Sequence, residues 1–202
     1  MAPRKLAVPP GRAGRIWLVQ RLDTARRGSD LLDRKLRILQ ADLTTRQAVA
    51  AQTAEQWERC QADAQAWLLR ATLLAGERAI RLADDGQAAA ITVSYELAMG
   101  IRYPSRAACS VPSALGWDGP VVAGAREAHR TALAAAAAHG AATAAVRVID
   151  EEVQATRYRL RAVKDRWIPR LEQALADVTF ALEEQERADA ARLRLAARPG
   201  VR

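Results

Sequence analysis

Aromatic residues make up only 4% of this 202-residue chain, and phenylalanine occurs once. Half of the composition is apolar, but alanine and leucine carry most of it. A compact sheet protein draws on valine, isoleucine and aromatics, so that class is excluded as the main architecture. Alanine and leucine are strong helix formers instead. Cysteine is scarce as well. Cys60 and Cys109 stand alone, form no CxxC pair and cannot build a disulfide framework, which points to a reducing, cytoplasmic setting. Lysine is nearly missing: Lys5, Lys35 and Lys164 are the only lysines among 31 basic residues, so the net charge of +8 is an arginine charge. A basic balance suits nucleic acid, an anionic membrane surface or an acidic protein partner, and composition does not choose among them. Long apolar runs are absent too. None is expected to reach the roughly 18 residues that span a bilayer. Met1 to Pro10 holds basic residues without an apolar core, so no signal peptide is expected.

The usual signatures of chemistry are also missing. There is no GxxxxGK[ST] to cradle phosphates, no GxSxG and no HExxH. Gly11-Arg12-Ala13-Gly14 is too short for a phosphate loop. His129 and His139 lie ten residues apart with no cysteine or carboxylate at ligand spacing, and read as helix-surface histidines. Glu183, Glu184 and Glu186 form a charged helix face with i,i+4 partners such as Arg187. No catalytic, cofactor-binding or metal-ligating residue is expected.

What remains is helix. Leu18, Leu22, Ala25, Ser29, Leu32, Leu36, Leu39 and Leu43 alternate spacings of four and three, which is a heptad seam. The same register runs on through Arg46, Ala50, Thr53, Trp57, Cys60, Ala64, Trp67, Ala71 and Leu74, with Arg46 its only charged residue. The pattern predicts one helix over 14–83, roughly 105 Å long at the α-helical rise. A second helix is expected over 120–198, opening at Pro120, where a missing N–H costs nothing. It is alanine-rich from Ala123 to Ala145. It then resumes the seam at Val146, Ile149, Val153, Thr156, Leu160, Val163 and Trp167. Past Trp167 the seam steps by four to Leu171 and by four again to Leu175, before Val178 and Leu182. That extra residue coincides with Pro169, the expected kink, where a helical hydrogen bond is lost.

Between the helices the period changes. Ile91, Val93, Tyr95 and Leu97 alternate with Thr92, Ser94 and Glu96, as in a half-buried strand. Met99-Gly100 can turn the chain and Ile101-Arg102-Tyr103 can return before Pro104. Residues 105–119 read as loop, with Trp117 as a candidate anchor of the turn. An isolated hairpin is marginal in water, so this one needs the helices or a partner. Trp17, Trp57, Trp67 and Trp167 fit the seam or its flank. The expected organisation is a tip over 1–13, a first helix over 14–83, hairpin and loop over 84–119, a second helix over 120–198 and a tail over 199–202. Two helices of this length with one reversal pair with each other. The fold class is therefore mainly all-α: a long antiparallel two-helix coiled coil with a short β-hairpin and loop region at the turn end.

Three stretches carry a family resemblance. LVQRLDTARRGSDLLDRKLRIL, Leu18 to Leu39, resembles the N-terminal helix of the D subunits of V/A-type rotary ATPases, with its Ala-Arg-Arg-Gly step, Leu31-Leu32 pair and following Lys35. Thr156 to Leu193 resembles that family's C-terminal helix, with the Ile-Pro-Arg-Leu-Glu core at Ile168 to Glu172 and the Leu-Glu-Glu-x-Glu-Arg run at Leu182 to Arg187. Met99-Gly100-Ile101-Arg102-Tyr103-Pro104 is similar to the family's hairpin motif. Where the family usually has Asn and Glu, this chain has Arg161 and Lys164.

The resemblance implies a non-catalytic rotor shaft, present in one copy per complex and cytoplasmic, peripheral to the membrane. Its terminal helices would enter a ring of catalytic and non-catalytic subunits, A and B. Its turn end would bind the small F subunit of the central stalk and seat in a socket protein of the C/d type above the membrane rotor. Candidate contacts to the ring are Arg4, Lys5, Arg12, Arg15, Arg26, Arg27, Arg157, Arg159, Arg187, Arg192 and Arg194. Candidates for the companion subunit are Val93, Tyr95, Met99, Gly100, Ile101, Tyr103 and Pro104. The alternative readings are a nucleic-acid-binding helical hairpin, resting on the +8 charge, and a generic coiled-coil scaffold. The γ shaft of F-type synthases shares the mechanism but not the Ile-Pro-Arg-Leu-Glu pattern.

Overall fold

The computed structural model describes residues 6–84, 86–112 and 119–196. The elements run α1 (Gly11–Leu82), β1 (Ala90–Ala98), β2 (Ile101–Ser110), α2 (Pro120–Arg161), a π-helical segment (Ala162–Trp167) and α3 (Ile168–Ala196). The class is the expected one: long helices with an antiparallel two-stranded hairpin. The chain divides into two compact units. The first takes the residues before Arg37 and after Gln154; the second is Arg37–Gln154.

In the first unit the start of α1 pairs with the end of α2 and with α3, antiparallel. The cross-contacts show it, since partner numbers fall as the first number rises: Arg12 with Glu186, Arg26 with Glu172, Asp33 with Lys164. Leu18, Leu22 and Leu171 form a buried cluster, joined by the partly buried Trp17, Ala25, Ile168 and Leu175. Leu6 and Val8 pack on it as well. Of the residues before the helix, Leu6 to Pro10 thus lie against it: α1 starts at Gly11, and a Cβ on buried Gly14 would come within 2.0 Å of the Pro9 carbonyl oxygen. Only glycine lets the chain cross its own helix there.

The extra seam residue before Leu171 is taken up by a widened turn. Residues 162–167 are π-helical, and the N–H of Ile168 donates to the carbonyl oxygen of Val163, five residues back. Pro169 follows directly and has no N–H to return to the ladder. The added residue rotates the inward direction by one position. Ile168 joins the cluster, while Trp167, expected on the seam, stays 36% exposed. Leu171 is restored to the core at 0% exposure.

In the second unit Leu39, Ile149 and Val153 are fully buried, and farther along α1 and α2 the packing passes to small side chains. Ala64 and Ala71 are buried, as are Ala125, Ala128, Ala141 and Ala145. The Trp67 ring packs against Gly124, where a Cβ would meet it at 2.7 Å. The helix expected to run unbroken to 83 is interrupted at Gly76, whose φ of 80° and ψ of 160° are outside any helix. Glycine adopts that backbone at no steric cost. Arg126 donates to the Ala83 carbonyl oxygen at 2.7 Å, satisfying one acceptor beyond the helix end. One helical stretch, Pro120–Ala196, does contain an 18-residue window of mean hydropathy 1.4, apolar enough by length and composition to cross a bilayer. That corrects the expectation of no such run. Alanine raises the average there, and Ala141 and Ala145 are buried in the second unit.

The hairpin is longer than the sequence suggests. β2 runs on to Ser110 instead of ending at Tyr103, and pairs with β1 from Ala98↔Ile101 to Ala90↔Ser110. Met99 (φ 51°) and Gly100 (φ 82°) make a two-residue turn with both residues left-handed, the geometry that matches strand twist. A bulge explains the miss. Tyr95 pairs with Pro104 but Ser94 with Arg106, leaving Ser105 as the extra residue. The bulge removes the need for a ladder donor near Pro104 and shifts the alternation beyond it. The strand expected to be half-buried is exposed along its length: Ile91 is 53%, Val93 39%, Tyr95 51% and Leu97 73% accessible.

Candidate functional site

Among the described residues no group of His, Cys, Asp and Glu is arranged to hold a metal ion. Three settings of polar and charged groups bear on function: the arginine-studded surface of the first unit, the joint between hairpin and helix, and a histidine between the helices of the second unit.

Many of the arginines predicted to touch a ring partner are already engaged within the first unit. Arg12 Nη2 donates to Glu186 at 2.9 Å and Arg26 Nη2 to Glu172 at 2.8 Å, each joining the two helices. Arg27 pairs with Asp23 one turn before it. Arg187 bridges Glu184 and, at 3.6 Å, Glu183; Arg192 donates to Asp189 at 3.0 Å. Arg15 and Arg194 are exposed, Arg159 is exposed and Arg157 partly so. Arg4 and Lys5 lie outside the described residues, as do Trp117 and the Pro199-Gly200 end. The glutamates at 183, 184 and 186 thus serve as partners for arginine. Such pairs are solvent-screened and contribute about 0–1 kcal/mol each. A double-mutant cycle on Arg26→Ala and Glu172→Ala, followed by denaturant unfolding, should therefore return a coupling below about 1 kcal/mol. A coupling several times larger would mean that the pair holds the helices together.

The seam residues divide by depth. Leu18, Leu22, Leu39, Leu160 and Leu171 are buried; Leu32, Leu36, Leu43, Val163, Leu175 and Leu182 are partly covered. Ser29 and Thr156 are buried polar residues among them, at 3% and 0% exposure.

The hairpin joins α1 through a stack that sequence reading did not assemble. Arg46, the one charged seam residue, donates from Nε to Asp42 Oδ2 at 3.0 Å, and its guanidinium lies 3.8 Å over the ring of Tyr103. Tyr103 is 4% exposed, and its hydroxyl donates to Glu96 at 2.8 Å, across to the other strand. Burial pushes the Tyr103 hydroxyl above its ordinary value, and donation to Glu96 adds to that. Burial by itself would lower Arg46, but its hydrogen bonds to Asp42 and Tyr103 outweigh this and raise it, so it stays charged. The signal was present in the sequence: a lone arginine on an apolar seam needs a partner. Pro104 is buried beside this joint, whereas Val93, Tyr95, Met99 and Gly100 are exposed and Ile101 is partly covered.

His139 is also not the surface histidine expected. Its ring stacks on Trp57 at 5.5 Å with 14° between planes, and Nδ1 lies 3.3 Å from Thr53 Oγ1. His129 keeps local company, with Nδ1 2.8 Å from the Ala125 carbonyl oxygen.

Comparison with known proteins gives one family. A family model described as the ATP synthase D subunit matches residues 16–198. The match runs through 105–145, a stretch that none of the three motifs covers. The curated proteins contain no match to this chain.

Proposed function

The chain belongs to the ATP synthase D-subunit family, and from that premise we propose that it is the rotor shaft of a V/A-type rotary ATPase. In this reading it couples ATP hydrolysis or synthesis in a ring of A and B subunits to rotation of a membrane ring that moves ions. The observation that carries the reading is the antiparallel pairing of the terminal segments around the Leu18–Leu22–Leu171 cluster, with cross-contacts at Arg12, Arg26 and Asp33. That pairing gives an asymmetric helical body that can present different faces to successive ring interfaces.

The surface chemistry suits such a task. Exposed ion pairs are individually weak and salt-sensitive, so a shaft studded with them can leave one angular position for the next without a deep trap. Arg12, Arg15, Arg26, Arg27, Arg157, Arg159, Arg187, Arg192 and Arg194 are the proposed ring contacts, and Arg4 and Lys5 extend the set at the chain start. The exposed hairpin is the proposed seat of the small F subunit of the central stalk, and the turn end the proposed plug for the C/d-type socket. The chain performs no catalysis itself and reaches the membrane from the cytoplasmic side through its partners.

The test is recovery of an affinity-tagged chain from its native host under mild conditions. Stoichiometric co-purification with both ring subunits and a small companion is the expected outcome. Recovery of the chain alone, or with nucleic acid only, would overturn the proposal.

A further inference from the structure

The paired helices of the first unit are weakest at one level. The bridges Arg26–Glu172 and Asp33–Lys164 fix their antiparallel register there. Ser29 lies three residues past Arg26 and Pro169 three before Glu172, so Gly28 and Ser29 of α1 stand opposite Pro169 and the end of the π-turn. Each helix is compromised at that level for its own reason. Gly28 is a poor helix former inside α1. A Cβ on it would meet nothing within 4 Å, so no close approach accounts for a glycine. On the other side, the ring of Pro169 would strike the carbonyl four residues back in a regular helix. The widened turn just before it relieves that contact and holds the extra seam residue in place. Packing is thin there too. None of Ala162–Trp167 is buried, and no side chain is buried between Leu160 and Leu171. Across from them, Ser29 is the one buried residue of α1 between Leu22 and Leu39.

We infer that this level is a flexure, at which the terminal part of the helix pair bends as a body. A π-turn inside an α-helix recurs at functional hinges, and sharp bends collect at proline and glycine. Two such points at different levels would each be splinted by the intact partner helix. Placed at one level, neither helix splints the other, and the Leu18–Leu22–Leu171 cluster is carried whole on one side of the joint. The flanking bridges are partly exposed and individually weak, so they follow the bend and do not resist it. In the shaft reading, on which this role rests, the flexure lets the terminal segments tilt as they leave one ring interface for the next.

Amide exchange of the full chain reads the flexure. In the parent, amides of 27–31 and 163–170 should exchange at least about tenfold faster than those of 18–23 and 171–176, as one local opening. Gly28→Ala should slow both fast segments, although 163–170 lies on the other helix, and raise Tm by a few degrees. Deletion of Pro169 removes the proline and the extra residue together, returns the steps from Trp167 through Leu171 to Leu175 to three and four, and should abolish the difference. Gly140→Ala is the control: it has equally open space but lies in the second unit, so it should raise Tm similarly and leave both segments at parental rates. In the assembled complex, Gly28→Ala should slow ATP turnover and deletion of Pro169 should slow it several-fold. Uniform exchange in the parent, or fast segments unmoved by Gly28→Ala, would overturn the flexure even if the deletion variant fails to fold. Parental turnover in a variant whose exchange has become uniform would overturn its role in the shaft. Failure of the parent chain to assemble with ring subunits would remove the shaft reading, and the exchange result would still decide the flexure.

Discussion

Leu171→Ala should lower the unfolding free energy by about 3 kcal/mol, within the range of roughly 2–5 for truncating a buried leucine. Leu171 is 0% exposed and joins Leu18 and Leu22 across the two helices of the first unit. The loss combines the transfer of a large side chain from a dry site with the void it leaves, and neighbours such as Trp17 and Ile168 are themselves only partly covered. For a chain of this size the loss corresponds to a fall of roughly 6–12 °C in Tm. Leu193→Ala is the matched control: Leu193 is 72% exposed in the same helix and should change stability by less than about 0.5 kcal/mol. Equal effects at the two positions would mean that the two helices are not held together by this cluster.

Leu171 also shows how far a linear pattern can be followed. Its place on the seam was legible because a heptad repeat tolerates few errors: one added residue before it shows as two successive steps of four. The structure takes up that residue as a π-turn over Ala162–Trp167. The pattern did not say which side chains would rotate out, and Trp167 gave way to Ile168 because a widened turn re-aims everything within it. Gly76 was visible as a residue but not as a break, since a glycine in a helical sequence is compatible with either conformation.

The hairpin was half legible. The alternation of Ile91, Val93, Tyr95 and Leu97 marked β1, and Met99-Gly100 marked its turn. β2 was lost after Tyr103 because Pro104 reads as a terminator and the Ser105 bulge scrambles the period beyond it. Interactions that join distant segments were the least legible of all. Thr53, Trp57 and His139 meet across 86 residues of sequence at the Thr53–His139 contact, and nothing local in the alanine run marks His139 as interhelical. The family resemblance supplied partners and a role, but it did not supply the joint between Arg46 and Tyr103.

That joint carries the second large expected effect. Tyr103→Ala removes a ring that is 4% exposed, the surface on which Arg46 lies, and the donor to Glu96. Truncating a buried aromatic costs about 3–5 kcal/mol. The hairpin has few other buried anchors, so the loss should appear as local release rather than global unfolding. Amide exchange over Ile101–Ser110 should accelerate by two orders of magnitude or more, while the Leu18–Leu171 cluster keeps its protection. Tyr103→Phe keeps the ring and drops only the hydrogen bond to a carboxylate, at a cost of roughly 1.5–3 kcal/mol, and should release the hairpin far less. The two variants also separate by pH. The folded hydroxyl titrates above the ordinary tyrosine value of 10.0, so the joint favours the protonated form. Its contribution is complete below that value and is lost as pH rises through the higher folded one. Protection of β2 in the parent chain should therefore fall above about pH 10, and this alkaline step should vanish in Tyr103→Phe. An identical alkaline profile in both proteins would show that another group governs the release, and that Tyr103 acts through its ring alone.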